Sequence, residues 1–230
     1  MQFEYEYQMV KPAEAWLKSN GLMVKREFPT PWGICDLVGC SFNMRNVNKR
    51  LRLGQKKPIG SHFRTMLLSH IPDENEAHPI EPAHLIGMFS EFFDEERIIS
   101  ELSRLERDKF VRKTNYGSFY KLNGWMPIHK KLVALELKLS RVWDVLNQAI
   151  ANLEFADESY VGLPMETARR LVRSNIVSSF VKNGIGVVGL NMESHKVIRS
   201  AEWNMRGIDP ILQAHCVERF WRQYPIDNLT

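Results

Sequence analysis

The chain has 230 residues, 44% hydrophobic and 25% charged, with six Trp, twelve Phe and a formal net charge of +4. That balance excludes a disordered, collagen-like or coiled-coil chain and leaves room for one large domain or two small ones. Met1 to Val10 alternates acidic and aromatic residues, unlike the basic and then apolar order of a secretory leader, and no apolar run approaches the ~20 residues needed to span a bilayer. A cytoplasmic protein with no membrane partner is therefore expected. Three cysteines, Cys35, Cys40 and Cys216, are an odd count without framework spacing and read as buried free thiols.

Met9, Ala13, Trp16 and Leu17 recur at helical spacing and predict a first helix, stopped at Asn20-Gly21. Leu22 to Phe28 and Trp32 to Cys40 follow as adjacent strands around the turn residues Pro29, Thr30 and Pro31. Between Asp36 and Asp73 there is no acidic side chain, while Arg45, Lys49, Arg50, Arg52, Lys56, Lys57 and Arg64 all fall there, so the stretch favours a polyanion. From Leu51 to Trp125 the texture is one of short helices broken by Gly and Pro. Asp94 is placed to cap a helix to about Asp108 with Ile98, Ile99, Leu102 and Leu105 as its stripe, and a hairpin turns at Asn115-Tyr116-Gly117. Three helices and a hairpin are the order of a winged helix-turn-helix, here an inserted domain over 51–126. Arg97, Arg104 and Arg107 would then lie on the exposed side of its last helix and Lys113 near the wing tip. With Lys49, Arg50 and Arg52 they are the candidate nucleic-acid contacts. The same module could instead serve protein contact or homodimer formation, given its acidic residues Glu95, Glu96, Glu101, Glu106 and Asp108.

After Pro127 strands and helices alternate: Lys131 to Leu139, Arg141 to Ala156, Tyr160 to Leu163, Glu166 to Val181, Gly186 to Leu190, Lys196 to Ala201, and a last helix opened by Asp209-Pro210. Residues 1–50 and 127–230 thus form a discontinuous α/β core.

The chemistry concentrates in the strand Leu132 to Leu139. Val133, Leu135, Leu137 and Leu139 share one face of the pleat, and Glu136 and Lys138 the other. A carboxylate and an ammonium on so apolar a strand cost desolvation unless they open onto a cleft, an ion or a substrate. Asp36 sits in a second strand between apolar neighbours. If the two strands are adjacent, Asp36, Glu136 and the main-chain carbonyl of Leu137 converge as oxygen ligands of the kind Mg²⁺ or Mn²⁺ prefers, with Lys138 beside them. An edge strand with one solvated face is the plainer alternative for Glu136 and Lys138.

Asp36 followed much later by Glu136-Leu137-Lys138 resembles the PD-(D/E)XK phosphodiesterase superfamily, the restriction-endonuclease-like fold. Its core order of helix, strand, strand with Asp, strand with Glu-x-Lys, helix, strand is matched by 1–44 and 127–190, about half the chain. The resemblance implies a mixed central sheet flanked by helices and a metal-dependent nuclease acting on DNA, a hydrolase with Mg²⁺ or Mn²⁺ as cofactor. It also implies supporting roles for Glu6 (with Glu14 as competitor) on the first helix, for Glu27 at the end of the first strand, and for Gln148 on the helix after Glu-x-Lys. The chain departs from the simplest members by carrying its winged-helix-like module between the two acidic strands. A nuclease-like DNA-binding regulator that no longer cuts is the alternative.

Other signals lead nowhere. Gly184-Ile185-Gly186-Val187-Val188-Gly189 matches GxGxxG, but a helix precedes it and a strand follows, the reverse of a dinucleotide loop. The seven histidines form no HExxH pair, Cys35 and Cys40 lack a second zinc-binding pair, and neither a Walker loop nor a Gly-x-Ser-x-Gly elbow is present.

Overall fold

The computed structural model describes residues 3–76, 78–122, 125, 127–204 and 207–221. The chain divides into two compact units, one of Met1–Phe42 with His129–Gln213 and one of Asn43–Ile128 with the chain from Ala214 on. No described helix is long and apolar enough to cross a membrane.

The first unit is α/β. A 3-10 turn, Glu6–Met9, leads into helix α1 (Val10–Ser19), which buries Ala13, Trp16 and Leu17 and ends at Asn20 and a left-handed Gly21. Strands β1 (Met23–Thr30) and β2 (Gly33–Phe42) pair antiparallel. The chain next enters the second unit. It comprises α2 (Met44–Arg52), α3 (His62–His70), α4 (Pro82–Phe89), α5 (Glu95–Arg107) and the two-stranded hairpin of β3 (Val111–Lys113) and β4 (Phe119–Lys121). The first unit resumes with β5 (His129–Leu137), α6 (Val142–Ala151), a 3-10 turn at Asn152–Glu154, β6 (Glu158–Pro164), α7 (Met165–Leu171), α8 (Val177–Lys182), β7 (Gly186–Leu190) and β8 (His195–Arg199). Helix α9 (Pro210–Trp221) closes the described chain, opened by Asp209, whose Oδ1 accepts from the Ile211 and Leu212 amides at 2.8 and 3.1 Å.

The sheet has six strands in the order β1-β2-β5-β6-β7-β8. β5, β6 and β7 run parallel, joined by helical crossovers, while β1, β2 and β8 are antiparallel to their neighbours, so the sheet is mixed. Val133, Leu135 and Leu137 meet α1 in one buried cluster with Leu37 and Trp16, as the alternation in β5 predicts. A second cluster joins Val145 and Ala149 of α6 to Val161, Phe180 and Val187.

Three expectations are corrected. Glu166 to Val181 is two helices, because Ser174 Oγ turns back to the Leu171 carbonyl at 2.7 Å and Ser178 Oγ to that of Asn175 at 2.7 Å, ending one helical run and starting another. The boundary of the inserted unit falls after Phe42, not after residue 50, and the chain from Ala214 on goes with the inserted unit. The reason lies in α2 and α9: Arg50 is fully buried, ion-paired with Glu218 and stacked over Phe110 and Trp221. In α5, Ile98, Leu102 and Leu105 are buried but Ile99 is exposed; the fourth inward position is Glu101, which accepts from Arg64 and Arg104. Asp94 occupies the α5 N-cap without a side-chain capping bond.

Glu218 also accepts the Ile59 amide at 2.9 Å, so its removal leaves a buried guanidinium and a buried N–H unpaired. Glu218→Ala is expected to cost about 3–5 kcal/mol in urea unfolding, and the double change Arg50→Met with Glu218→Leu to recover most of that loss.

Candidate active site

The site is built where pairing between β2 and β5 stops. The last paired positions are Leu37 and Leu135, and one step further in the same register Asp36 comes opposite Glu136. Beyond that point the β5 amide of Leu137 is taken by a side chain, Asp36 Oδ2, at 2.7 Å. Directly opposite one another, the two carboxylates fall on the same face of the sheet, and the Asp36 charge raises the proton affinity of Glu136. Glu136 is only 3% exposed and accepts from Asn152 Nδ2 at 2.6 Å. Asn152 is held in turn by the Trp32 indole, whose Nε1 donates to Asn152 Oδ1 at 3.3 Å. The Cys35 thiol lies against the same amide, 3.5 Å from Asn152 Nδ2.

Lys138 stands one residue past the end of β5, its amide still bonded to the Gly162 carbonyl at 3.1 Å. The expected strand to Leu139 is therefore two residues shorter at this end. Lys138 Nζ donates to Glu6 Oε2 at 2.9 Å, and Glu6 Oε1 accepts the Leu139 amide at 3.4 Å. Glu6, which lines the cavity, thus pairs with the lysine, which does not, whereas its competitor Glu14 is committed elsewhere, to Lys18 and Arg26.

Glu27 is exposed and left-handed, with φ of 48°, a conformation that costs a non-glycine residue about 1–2 kcal/mol. It interrupts β1 between the pairs Arg26 with Leu37 and Phe28 with Cys35, directly across from Asp36. Strain of this kind collects beside functional sites, and here it turns Glu27 into a cavity of about 550 Å³ lined also by Glu6, Tyr7, Val10, Arg26, Asp36 and Leu137. Asp36, Glu6, Glu27 and Leu137 are therefore together. Glu136 lies behind Asp36 and does not line the cavity. Gln148 is exposed on α6; the side chain that reaches the carboxylates from this segment is Asn152, one turn later.

Burial raises the proton affinity of Asp36, offset by the Leu137 N–H and by Lys138. Burial likewise raises Glu136, where Asn152 pulls down and the Asp36 charge pushes up. Desolvation and then Glu136 push the Cys35 thiol well up, so it is no thiolate. All three cysteines are free and buried, as expected.

Among the described residues, no group of three or more His, Cys, Asp or Glu side chains is arranged to hold a metal ion. The oxygen donors at hand are the two facing carboxylates, ligands of the kind that hard divalent cations take. Such an ion would relieve the same charge crowding that a proton relieves.

The candidate nucleic-acid residues of the second unit divide. Arg50 is corrected to a scaffold role, since its guanidinium is enclosed by Glu218, Phe110 and Trp221. Arg97, Arg104, Arg107 and Lys113 are exposed, as are Lys49 and Arg52. Arg97 stacks on Phe93, and Arg104 and Arg107 face Glu101 and Asp108 at 3.2 and 3.4 Å, so part of their charge is spent locally.

No family model matches the chain, and no curated protein does. Among solved structures it is similar to the SPO1766 protein of unknown function from Silicibacter pomeroyi, at 9% identity over 96% of this chain and 86% of that one, with a TM-score of 0.45.

Because both carboxyls are raised, the folded protein holds more protons than the unfolded chain above the ordinary carboxyl value of about 4, and stability from this pair falls as pH rises. Asp36→Asn is therefore expected to melt higher than wild type at about pH 8, with the difference shrinking toward about pH 4. Mg²⁺ or Mn²⁺ is expected to raise the wild-type melting temperature at the higher pH and to leave Asp36→Asn unmoved; scanning fluorimetry reads both.

Proposed function

We propose that this protein is a divalent-metal-dependent nuclease hydrolysing phosphodiester bonds in DNA, built on a restriction-endonuclease-like core with an inserted winged-helix-like unit. The observation that carries the reading is that Asp36 and Glu136, a hundred positions apart in sequence, come opposite one another where the pairing of β2 with β5 stops, with Lys138, two residues on from Glu136, held by Glu6. The order of helix, two antiparallel strands, the Glu-x-Lys strand, helix and parallel strand agrees with this core.

Asp36 and Glu136, with the Leu137 carbonyl, would hold the ion. Bound Mg²⁺ or Mn²⁺ supplies a water of lowered pKa and neutralises charge on the phosphate. Lys138, whose ammonium is held by the cavity-lining Glu6, would stabilise negative charge developing on the phosphorus oxygens or orient the attacking water. Asn152 acts as a positioning residue, fixing Glu136 through one oxygen. Glu27 extends the acidic lining on the side of the cavity opposite β5. In the second unit the exposed Arg97, Lys113, Lys49 and Arg52 offer phosphate contacts whose strength falls with salt.

A second reading, a nuclease-like DNA-binding regulator that does not cut, is favoured by one observation. Glu136 is enclosed by Asn152 and Cys35 and is absent from the lining of the cavity that Asp36 faces.

Purified protein incubated with linear, circular and single-stranded DNA and RNA separates the two. Cleavage that requires Mg²⁺ or Mn²⁺, stops with EDTA and drops by at least about 100-fold in both Glu136→Ala and Lys138→Ala supports the enzyme. Salt-sensitive binding with no cleavage under any metal supports the regulator.

A further inference from the structure

Two aromatic rings, Tyr5 at the N-cap of the first 3-10 turn and Tyr7 within it, stand exposed, the second of them on the acidic cleft. Tyr5 is 57% and Tyr7 70% exposed, and their rings stack with centroids 5.7 Å apart and planes 18° apart. Tyr7 lines the same cavity as Asp36, Glu6 and Glu27. The segment that carries them is locked: Gln8 Oε1 accepts the Glu4 and Tyr5 amides at 2.8 and 3.1 Å, and the Tyr5 carbonyl accepts the Gln8 amide at 3.2 Å. A solvent-facing aromatic pair on a pinned backbone is suited to a flat ligand, because little main-chain entropy is left to lose on binding.

The charge of the cleft narrows the ligand. Of the charged residues lining it, Arg26 is paired with Glu14 and Glu6 with Lys138, while Glu27 and Asp36 repel phosphate oxygens unless a cation intervenes; a neutral nucleobase meets no such penalty on a tyrosine face. In a duplex the bases are stacked on one another and withhold those faces; an unpaired strand presents them.

Resting on the nuclease reading above, we infer that Tyr7, backed by Tyr5, is a stacking platform for an unpaired nucleobase next to the reacting phosphodiester, so that the site takes a single-stranded polynucleotide. Stacking is tolerant of base identity, and the platform therefore selects strandedness and not sequence.

The test uses short oligonucleotides with a non-cleavable phosphorothioate backbone and one 2-aminopurine, as single-stranded DNA, single-stranded RNA and duplex DNA, titrated in Mg²⁺ with wild type, Tyr7→Ala, Tyr7→Trp and Tyr5→Ala. The expected result is quenched 2-aminopurine fluorescence and preferential binding of at least one single strand, with the DNA and RNA arms identifying the sugar. Tyr7→Ala should lose roughly 10–100-fold in affinity together with the quenching, at an unchanged melting temperature, and Tyr7→Trp should keep both. A strand lacking that one base should bind wild type as weakly as the intact strand binds Tyr7→Ala. Single-strand affinity and quenching unchanged in Tyr7→Ala, or a preference for duplex in wild type, overturns the platform, and metal-dependent cutting of an ordinary substrate in the same preparations then leaves the nuclease reading standing. Stacking that is lost in Tyr7→Ala while wild type cuts nothing supports the platform and overturns hydrolysis.

Discussion

Two carboxylates held together at the frayed end of a β-pair impose the constraint on which the site of this protein depends. Like charges about 4 Å apart at an effective dielectric of about 20 repel by about 4 kcal/mol, before any cost of removing them from water. The surroundings of Asp36 and Glu136 answer that cost with donors: the Leu137 amide on one, the Asn152 amide on the other, and the Lys138 charge acting on Asp36. What remains is relieved by a proton or by a cation. An arrangement retained at such expense, with a left-handed Glu27 facing it across β1, is more economically understood as chemistry than as scaffold.

The same logic separates the basic residues of the second unit. Arg50 and Arg64 carry the charge of an acid-free stretch, yet both are consumed inside the unit, by Glu218 and by Glu101. A guanidinium that is desolvated and paired in this way specifies how its helices meet and offers nothing to a polyanion. Arg45, Lys49, Arg52, Lys56 and Lys57 of that stretch face solvent, Lys57 at 3.5 Å from Asp108, and in α5 Arg104 and Arg107 already face acids at salt-bridge distance. Net charge along a segment therefore overstates the electrostatic surface that the fold presents.

At the site, the strands were readable because β5 alternates with a period of two and Asp36 interrupts a short continuous apolar run. The pairing of β2 with β5 was a conditional inference, as no local pattern says which strands are neighbours. Glu6 and Glu14 are equally acidic and lie within eight residues of one another in sequence. What separates them is that Glu6 lies in the turn before the helix, within reach of Lys138, while Glu14 lies on the helix among Lys18 and Arg26. Asn152 carried a faint signal, an amide one helical turn beyond Gln148 and just where the helix tightens into a 3-10 turn, but an amide at a helix end is ordinarily a cap.

Amino-acid order alone determined the alternating α/β character of this chain, the approximate location of the sheet strands, the inserted block of short helices and a hairpin, and the unusual placement of charge in two apolar strands. Those follow from local periodicity and from turn chemistry, which act over a few residues. Tertiary structure decided the rest: that the inserted unit begins at Asn43 and takes in the chain from Ala214 on, that Arg50 is enclosed, that Asn152 and not Gln148 reaches Glu136, and that Tyr7 shares a cavity with Asp36. Each of these depends on which distant surfaces exclude water from one another, a property of contacts between segments that no single segment encodes.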